Sequence, residues 1–289
     1  MNSAPGFFSE TFGKLRSDPL GICGLVIVVM VLLSAIFASY LSPYDPLEVD
    51  VYDRLASPSW QHWLGTDQLG RDILSRVLHG GRIALKVSLV AISISLAAGL
   101  VLGMVAGFGP RWLDRILVVC FDTMRSFPTI MFALAIVVLT GPSLNTVIGI
   151  IIITSIPTYA RIVRTQTQAV RVRDYILAER AMGASTARIL RHHVLPNIAA
   201  PLLILASMDV PAVVGMEAGL SFLGLGVNPP TPSWGAILND GYSYLRNSPW
   251  PIIAGGIPLI LVTLGFTFLG ESLRDIFDPK LRGKGGDSG

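Results

Sequence analysis

The sequence predicts an all-α polytopic membrane protein with six transmembrane helices, and three observations carry that expectation. Hydrophobic residues make up 52 % of the chain and charged residues 14 %, a balance outside the range of soluble domains. Uncharged or nearly uncharged runs recur at about 20 residues, the length a helix needs to cross the hydrocarbon core. Basic residues concentrate in alternate connections, the pattern that orients a multi-pass chain.

In chain order, Leu20 to Leu41 carries no charge and reads as an uncleaved first span, since the apolar region of a signal peptide runs only about 7–15 residues. Residues 42–82 return to water with the acids Asp45, Glu48, Asp50 and Asp53. There Thr66 or Asp67 is expected to cap a helix lying along the membrane surface. Leu69, Ile73, Leu74, Val77 and Leu78 form its apolar stripe, and Arg71, Asp72 and Arg76 its polar side.

The second span runs from about Ile83 to Phe108, and its glycines at 99, 103 and 107 strip one face for close helix packing. Residues 111–126 are amphipathic and feed the apolar run from Phe127 to Thr140, giving a third span bent near Pro128. The fourth runs from about Leu144 to Ile162 with Pro157 inside it, the fifth from Ile198 to Phe222, and the sixth from Pro251 to Leu269. The chain thus divides into an N-terminal segment (1–82) with the first span and the surface helix, a transmembrane domain (83–275), and a tail (276–289).

Between the fourth and fifth spans lies a loop, residues 165–196, too charged for lipid. Tyr175, Ala178 and Met182 share helical spacing, Gly183 suits a left-handed cap, and Ser185 suits the start of a second helix. Leu195-Pro196 then opens the next span. The expected product is a water-side helical hairpin. Lys14, Arg16, Arg111, Arg115, the arginines from Arg161 to Arg191, and Arg274, Lys280, Arg282 and Lys284 fall on its side of the membrane. That assigns the hairpin and both termini to the cytoplasm, and the 42–82 segment to the outer face.

No Gly-x-x-x-x-Gly-Lys-Ser/Thr loop is present, so ATP and magnesium would belong to another chain, and this one needs no cofactor of its own. The four histidines lack metal-site spacing, no metal site is expected, and Cys23 and Cys120 read as packing residues. The basic residues follow topology, so no nucleic-acid partner is implied. Asp209 and Glu217 lie within the fifth span, where an acid is costly. For Asp209, a place on the translocation path and a bonded place inside the bundle weigh evenly. Glu217 reads as a gate or, more simply, a structural corner.

Several phrases carry a family resemblance. Gly65-Thr66-Asp67 followed by Gly70-Arg71-Asp72, the run from Glu217 to Gly226, Asn228 to Gly235, and Leu273-Arg274-Asp275 with Asp278 to Arg282 resemble the dipeptide, oligopeptide and nickel branch of bacterial ABC-importer permeases, C type. The hairpin is similar to the coupling loop of such permeases through Ala178, Gly183, Val194, Leu195 and Pro196. The family glutamate falls on Leu177, and Glu179 lies two positions later.

The resemblance implies a type I ABC importer permease fold in the bacterial inner membrane, with the hairpin, including Glu179, Ala184 and Ser185, docking on the ATPase. It also implies a second homologous permease, two ATP-binding subunits and a periplasmic binding protein, and import of di- or oligopeptides. Nickel chelates, glutathione or another small solute remain open as cargo. So does ATP-independent, proton-coupled transport through Asp209 and Glu217; a membrane enzyme fits less well, because no catalytic constellation converges.

Overall fold

The computed structural model describes residues 15 and 17–277, and among these it holds α-helices and no strand. Among the described residues five helices are long and apolar enough to cross a membrane, and six spans result when the bent pair Arg111–Ser126 and Thr129–Thr140 is counted as one. Helix α1 (Pro19–Ile36) starts at Asp18, whose carboxylate accepts from the Leu20 N–H at 3.1 Å, and the single turn α2 (Ala38–Leu41) extends it. The first span therefore falls where the apolar run ends.

The surface helix expected from Thr66 or Asp67 is not formed. Helix α3 begins at Ile73 and runs unbroken to Phe108, 36 residues, with Asp72 as its cap accepting from the Ser75 N–H at 2.8 Å. Asp67 is unavailable as a cap because its carboxylate already accepts from the N–H groups of Leu69 (2.8 Å) and Arg71 (3.0 Å). Gly65 and Gly70, at φ +78° and +76°, fold residues 65–72 back on themselves. Arg71, Asp72 and Arg76, placed on a polar outer side by their spacing, are buried.

Helix α4 (Arg111–Ser126) and α5 (Thr129–Thr140) meet at Pro128 with an angle of 87° between them, a sharper turn than a bent span suggests. Helix α6 (Leu144–Arg171) continues past Ile162 with Pro157 inside it, so residues 165–171 of the expected loop are helical. The hairpin consists of α7 (Asp174–Ala181) and α8 (Thr186–Ile189). A π turn (Leu190–Val194) joins α8 without interruption to α9 (Leu195–Met208), and α10 (Val210–Phe222) follows. Pro196 therefore does not open a separate helix. It sits in the first turn of α9, where its missing N–H and the widened π turn coincide.

Helix α11 (Trp234–Ser243), capped by Ser233 with its hydroxyl accepting from the Ala236 N–H at 3.2 Å, was not foreseen. Helix α12 (Trp250–Phe277) ends the described chain. Lys14, Arg16, the phrase Asp278 to Arg282, Lys284 and residues 278–289 of the expected tail lie outside the described residues.

Three apolar clusters hold the bundle. One joins α3, α5, α6 and α10 around Val87, Ile150 and Val213; another joins α1, α3, α10, α11 and α12 around Val31, Trp234 and Val262. The third is discussed with the hairpin. The tightest seam is α3 on α6. A Cβ added at Gly99 would collide with the Tyr159 Cβ, one at Gly103 with the Ala160 carbonyl oxygen, and one at Gly107 would lie 2.7 Å from the Thr167 Cβ. The four-residue glycine spacing is matched on α6 by residues 159, 160, 163 and 167, which lets the two backbones approach.

Candidate functional site: the helical hairpin and the fifth span

The turn of the hairpin is a complete C-capping motif. The Gly183 N–H donates to the Arg180 carbonyl and the Ala184 N–H to the Glu179 carbonyl, each at 3.0 Å, with Gly183 at φ +84°. Those are the two bonds of the Schellman arrangement, and they satisfy carbonyls that the end of α7 leaves open. Ser185 then caps α8, its hydroxyl accepting from the Arg188 N–H at 3.4 Å. Four residues thus end one helix and start the next.

The hairpin has two unlike sides. Ile176, Ile189, Val194 and Ile198 are essentially sealed and belong to the cluster that includes Phe108 at the end of α3 and Tyr159 and Val163 on α6. The Arg180 guanidinium stands 4.5 Å over the Phe108 ring and that of Arg171 5.5 Å from it, cation–π contacts that add to the apolar attachment. Arg171 also donates to the Gly107 carbonyl at 3.4 Å. Tyr175, Leu177, Ala178, Met182, Gly183 and Ser185 face outward, with Met182 at 75 % exposure.

The stripe expected from Tyr175, Ala178 and Met182 therefore points away from the bundle, and Ile176 makes the inward contact. Glu179 and Ala184 are half-buried, Leu195 likewise, and Pro196 is exposed. Glu179 reaches His193 at 3.3 Å.

Farther along the same continuous helix, Asp209 occupies the junction of α9 and α10, with Pro211 in the first turn that follows. It is half-buried. Glu217 is fully buried; the Ser221 hydroxyl donates to its Oε1 at 2.7 Å, and its Oε2 has no hydrogen-bond partner. The α10 helix ends in a second Schellman turn, with the Gly224 N–H on Ser221 (3.1 Å) and the Leu225 N–H on Leu220 (2.8 Å). There α11 packs so closely that a Cβ at Gly235 would collide with the Ala218 carbonyl oxygen. Glu217 thus sits in a dense corner, eight residues and about 12 Å along the helix from Asp209.

At the opposite end of the bundle from the hairpin is a buried charge cluster missed in the sequence. Arg71 bonds Asp67 at 2.7 Å and reaches Asp240 of α11 at 3.5 Å, while Arg76 lies 3.4 Å from Asp67 and 3.9 Å from Asp240. His62 is held beside it by Asp72 at 3.0 Å. The Asp67-Arg71 spacing was visible locally, but Asp240 is 169 residues away from Arg71, beyond any periodicity. Among the described residues no cluster of His, Cys, Asp or Glu is placed to hold a metal.

Residues 99–283 match the family described as binding-protein-dependent transport system inner membrane component, and residues 6–58 match the N-terminal TM domain of oligopeptide transport permease C. The chain is a binding-protein-dependent transport permease. It is 39 % identical over 273 residues to the dipeptide transport system permease protein DppC of Alkalihalophilus pseudofirmus, covering 94 % of this chain and 90 % of that one. The di/tripeptide permease DppC of Pseudomonas aeruginosa is 40 % identical over 285 residues, covering 96 % and 94 %. The glutathione permease GsiD of Pectobacterium atrosepticum is 39 % identical over 269 residues, covering 93 % and 89 %.

Among solved structures, the MetNI methionine ABC transporter superposes with a TM-score of 0.58 at 20 % identity, covering 70 % of the permease and 97 % of that chain. That likeness concerns the fold, and it is the type I importer fold expected from the sequence.

Proposed function

We propose that this permease is one membrane subunit of an ATP-driven importer of short peptides, and that the α7–α8 hairpin couples it to the motor. The reading is supported by the names of its relatives, which are peptide and dipeptide permeases at 39–40 % identity over nearly the whole chain. The complex would comprise a second permease, two ATP-binding subunits and an outer binding protein that delivers the peptide. Its place is the bacterial inner membrane, with the hairpin and both termini in the cytoplasm. ATP and magnesium would be held entirely by the partners.

The observation that carries the mechanism is the two-sidedness of the hairpin. Its inner side is locked to the ends of α3 and α6, while its outer side leaves Tyr175, Leu177 and Met182 uncovered, apolar groups that an ATPase cleft would bury. A push on that outer side cannot be absorbed by a loose loop. The connection from α6 to α7 spans only residues 172–173, and α8 runs on into α9 without a break. Displacement of the hairpin therefore tilts α6 and α9 as bodies and exchanges access between the two faces.

Ala178, Glu179, Gly183, Ala184 and Ser185 shape the docking end, and Val194, Leu195 and Pro196 form the rigid exit. The exposed apolar face of α5, with Ile130, Met131, Leu134 and Val138, offers area for the second permease. Cysteine substituted for Met182 should cross-link to the ATP-binding chain of the purified complex, more strongly with one nucleotide state than with another. A hairpin that stays solvent-accessible in every state of a transporting complex would end this reading.

A further inference from the structure

Asp209 is a carboxylate within a membrane span, and among the described residues no lysine, arginine or histidine pairs with it. Its polar neighbour is the Tyr159 hydroxyl of α6, near enough to bond the carboxylate weakly but outside ordinary hydrogen-bond geometry. That hydroxyl is itself buried and unpartnered, on a side chain only 1 % exposed. Two polar groups from different helices thus converge with only that weak contact between them and no counter-charge, which is costly unless a ligand completes them.

The exposed part of Asp209 cannot face hydrocarbon for the same reason, so it borders water or another chain. Glu217, the other acid of this span, also keeps one oxygen without a hydrogen-bond partner, but it is sealed and accepts from Ser221 through the other, so a ligand has no route to it.

Resting on the peptide-import reading, we propose that Asp209 and the Tyr159 hydroxyl form an intramembrane site for a monovalent cationic group, the α-ammonium of the peptide in transit. The ammonium supplies the missing counter-charge to the carboxylate, and the hydroxyl adds one oxygen acceptor. The site lies about 18 Å along α6 from Arg171 and about 21 Å along α9 from Leu195. It therefore bridges the two helices that carry the hairpin, at similar distances from it, and their relative tilt would open or close the gap between carboxylate and hydroxyl.

The test uses the full complex with its binding protein in vesicles, following labelled dipeptide uptake and ATP hydrolysis together. Asp209→Asn is expected to lower uptake about tenfold or more, the size of a lost charge-assisted contact, with ATP hydrolysis and subunit assembly retained. Asp209→Glu should recover most uptake, and Tyr159→Phe should raise the half-saturating peptide concentration with little change in the maximal rate. Uptake by Asp209→Asn equal to that of the unaltered complex overturns the site. So does loss of the second permease from the Asp209→Asn complex alone, which would mean that a cation of that chain fills the role.

Replacing bath sodium and potassium with choline separates the sources of charge. Uptake indifferent to the exchange assigns the peptide ammonium; uptake that follows the inorganic ions, with the dependence lost in Asp209→Asn, keeps the site and reassigns its ligand. Failure of the peptide reading looks different, as an unaltered complex that hydrolyses ATP and imports no peptide. Cation-dependent hydrolysis, present in that complex and absent from Asp209→Asn, then supports the site, and its absence from both overturns it.

Discussion

Glu179 and His193 meet at 3.3 Å, one on α7 and the other in the π turn that leads into α9, and so they tie the outgoing and returning arms of the hairpin. Both side chains are a quarter to a third exposed, and a polar contact so open to water is worth only about 0–1 kcal/mol even when both groups are charged. Ile176, fully buried a turn earlier, is the stronger tie. Truncation of a buried isoleucine costs about 2–5 kcal/mol.

Ile176→Ala is accordingly expected to loosen the hairpin, and Glu179→Gln to leave it standing. Limited proteolysis of the reconstituted complex reads this directly: cleavage within residues 173–190 should rise sharply for the first variant and change little for the second. The reverse order would mean that the Glu179–His193 contact, not the apolar one, holds the hairpin to the bundle.

Gly183 isolates backbone strain from crowding. Its φ of +84° disfavours side chains, yet a Cβ there would meet nothing within 4 Å. Gly183→Val should therefore lose about 1–2 kcal/mol through the left-handed conformation alone, and Gly183→Asn less, because asparagine tolerates that region. In ATP-driven uptake assays the ranking should be wild type, then Asn, then Val, with comparable amounts of assembled complex; a Val variant transporting at the wild-type rate would separate the turn from coupling.

The α3–α6 seam predicts a contrast between two glycines in spanning helices. At Gly103 a methyl group meets the Ala160 carbonyl, whereas at Gly149 it meets nothing within 4 Å. Gly103→Ala should reduce folded protein recovered from membranes and lower its melting temperature, and Gly149→Ala should do neither. Equal effects at the two sites would remove the close approach as the reason for the glycine spacing.

The buried cluster of Asp67, Arg71, Arg76 and Asp240 should answer unequally to loss of its two acids. Asp67 is 4 % exposed and contacts both arginines, while Asp240 is 29 % exposed. Removing one partner of a buried pair costs about 3–5 kcal/mol, so Asp67→Asn should destabilise far more than Asp240→Asn in thermal melts. Similar losses would show that water at Asp240 does not relieve the charge.

What the sequence determined by itself is whatever depends on neighbours a few residues away. Apolar run length placed the spans, because a bilayer of fixed thickness asks for a fixed length of helix. Gly183 and Ser185 marked the hairpin turn, because a left-handed cap and a hydroxyl cap are local chemistry. The glycine spacing from 99 to 107 pointed to a packed face.

Tertiary structure decided what depends on partners far along the chain. Spacing gave Arg71 and Arg76 an outward polar side, but Asp240 of α11 balances them and draws them inside. Helical periodicity put Tyr175, Ala178 and Met182 on one stripe, but the packing of Ile176 in one cluster with Phe108 and Val163 left that stripe facing outward. Periodicity shows that a helix has two sides; which side meets the protein is settled only when the opposing helix arrives with its own shape and charge.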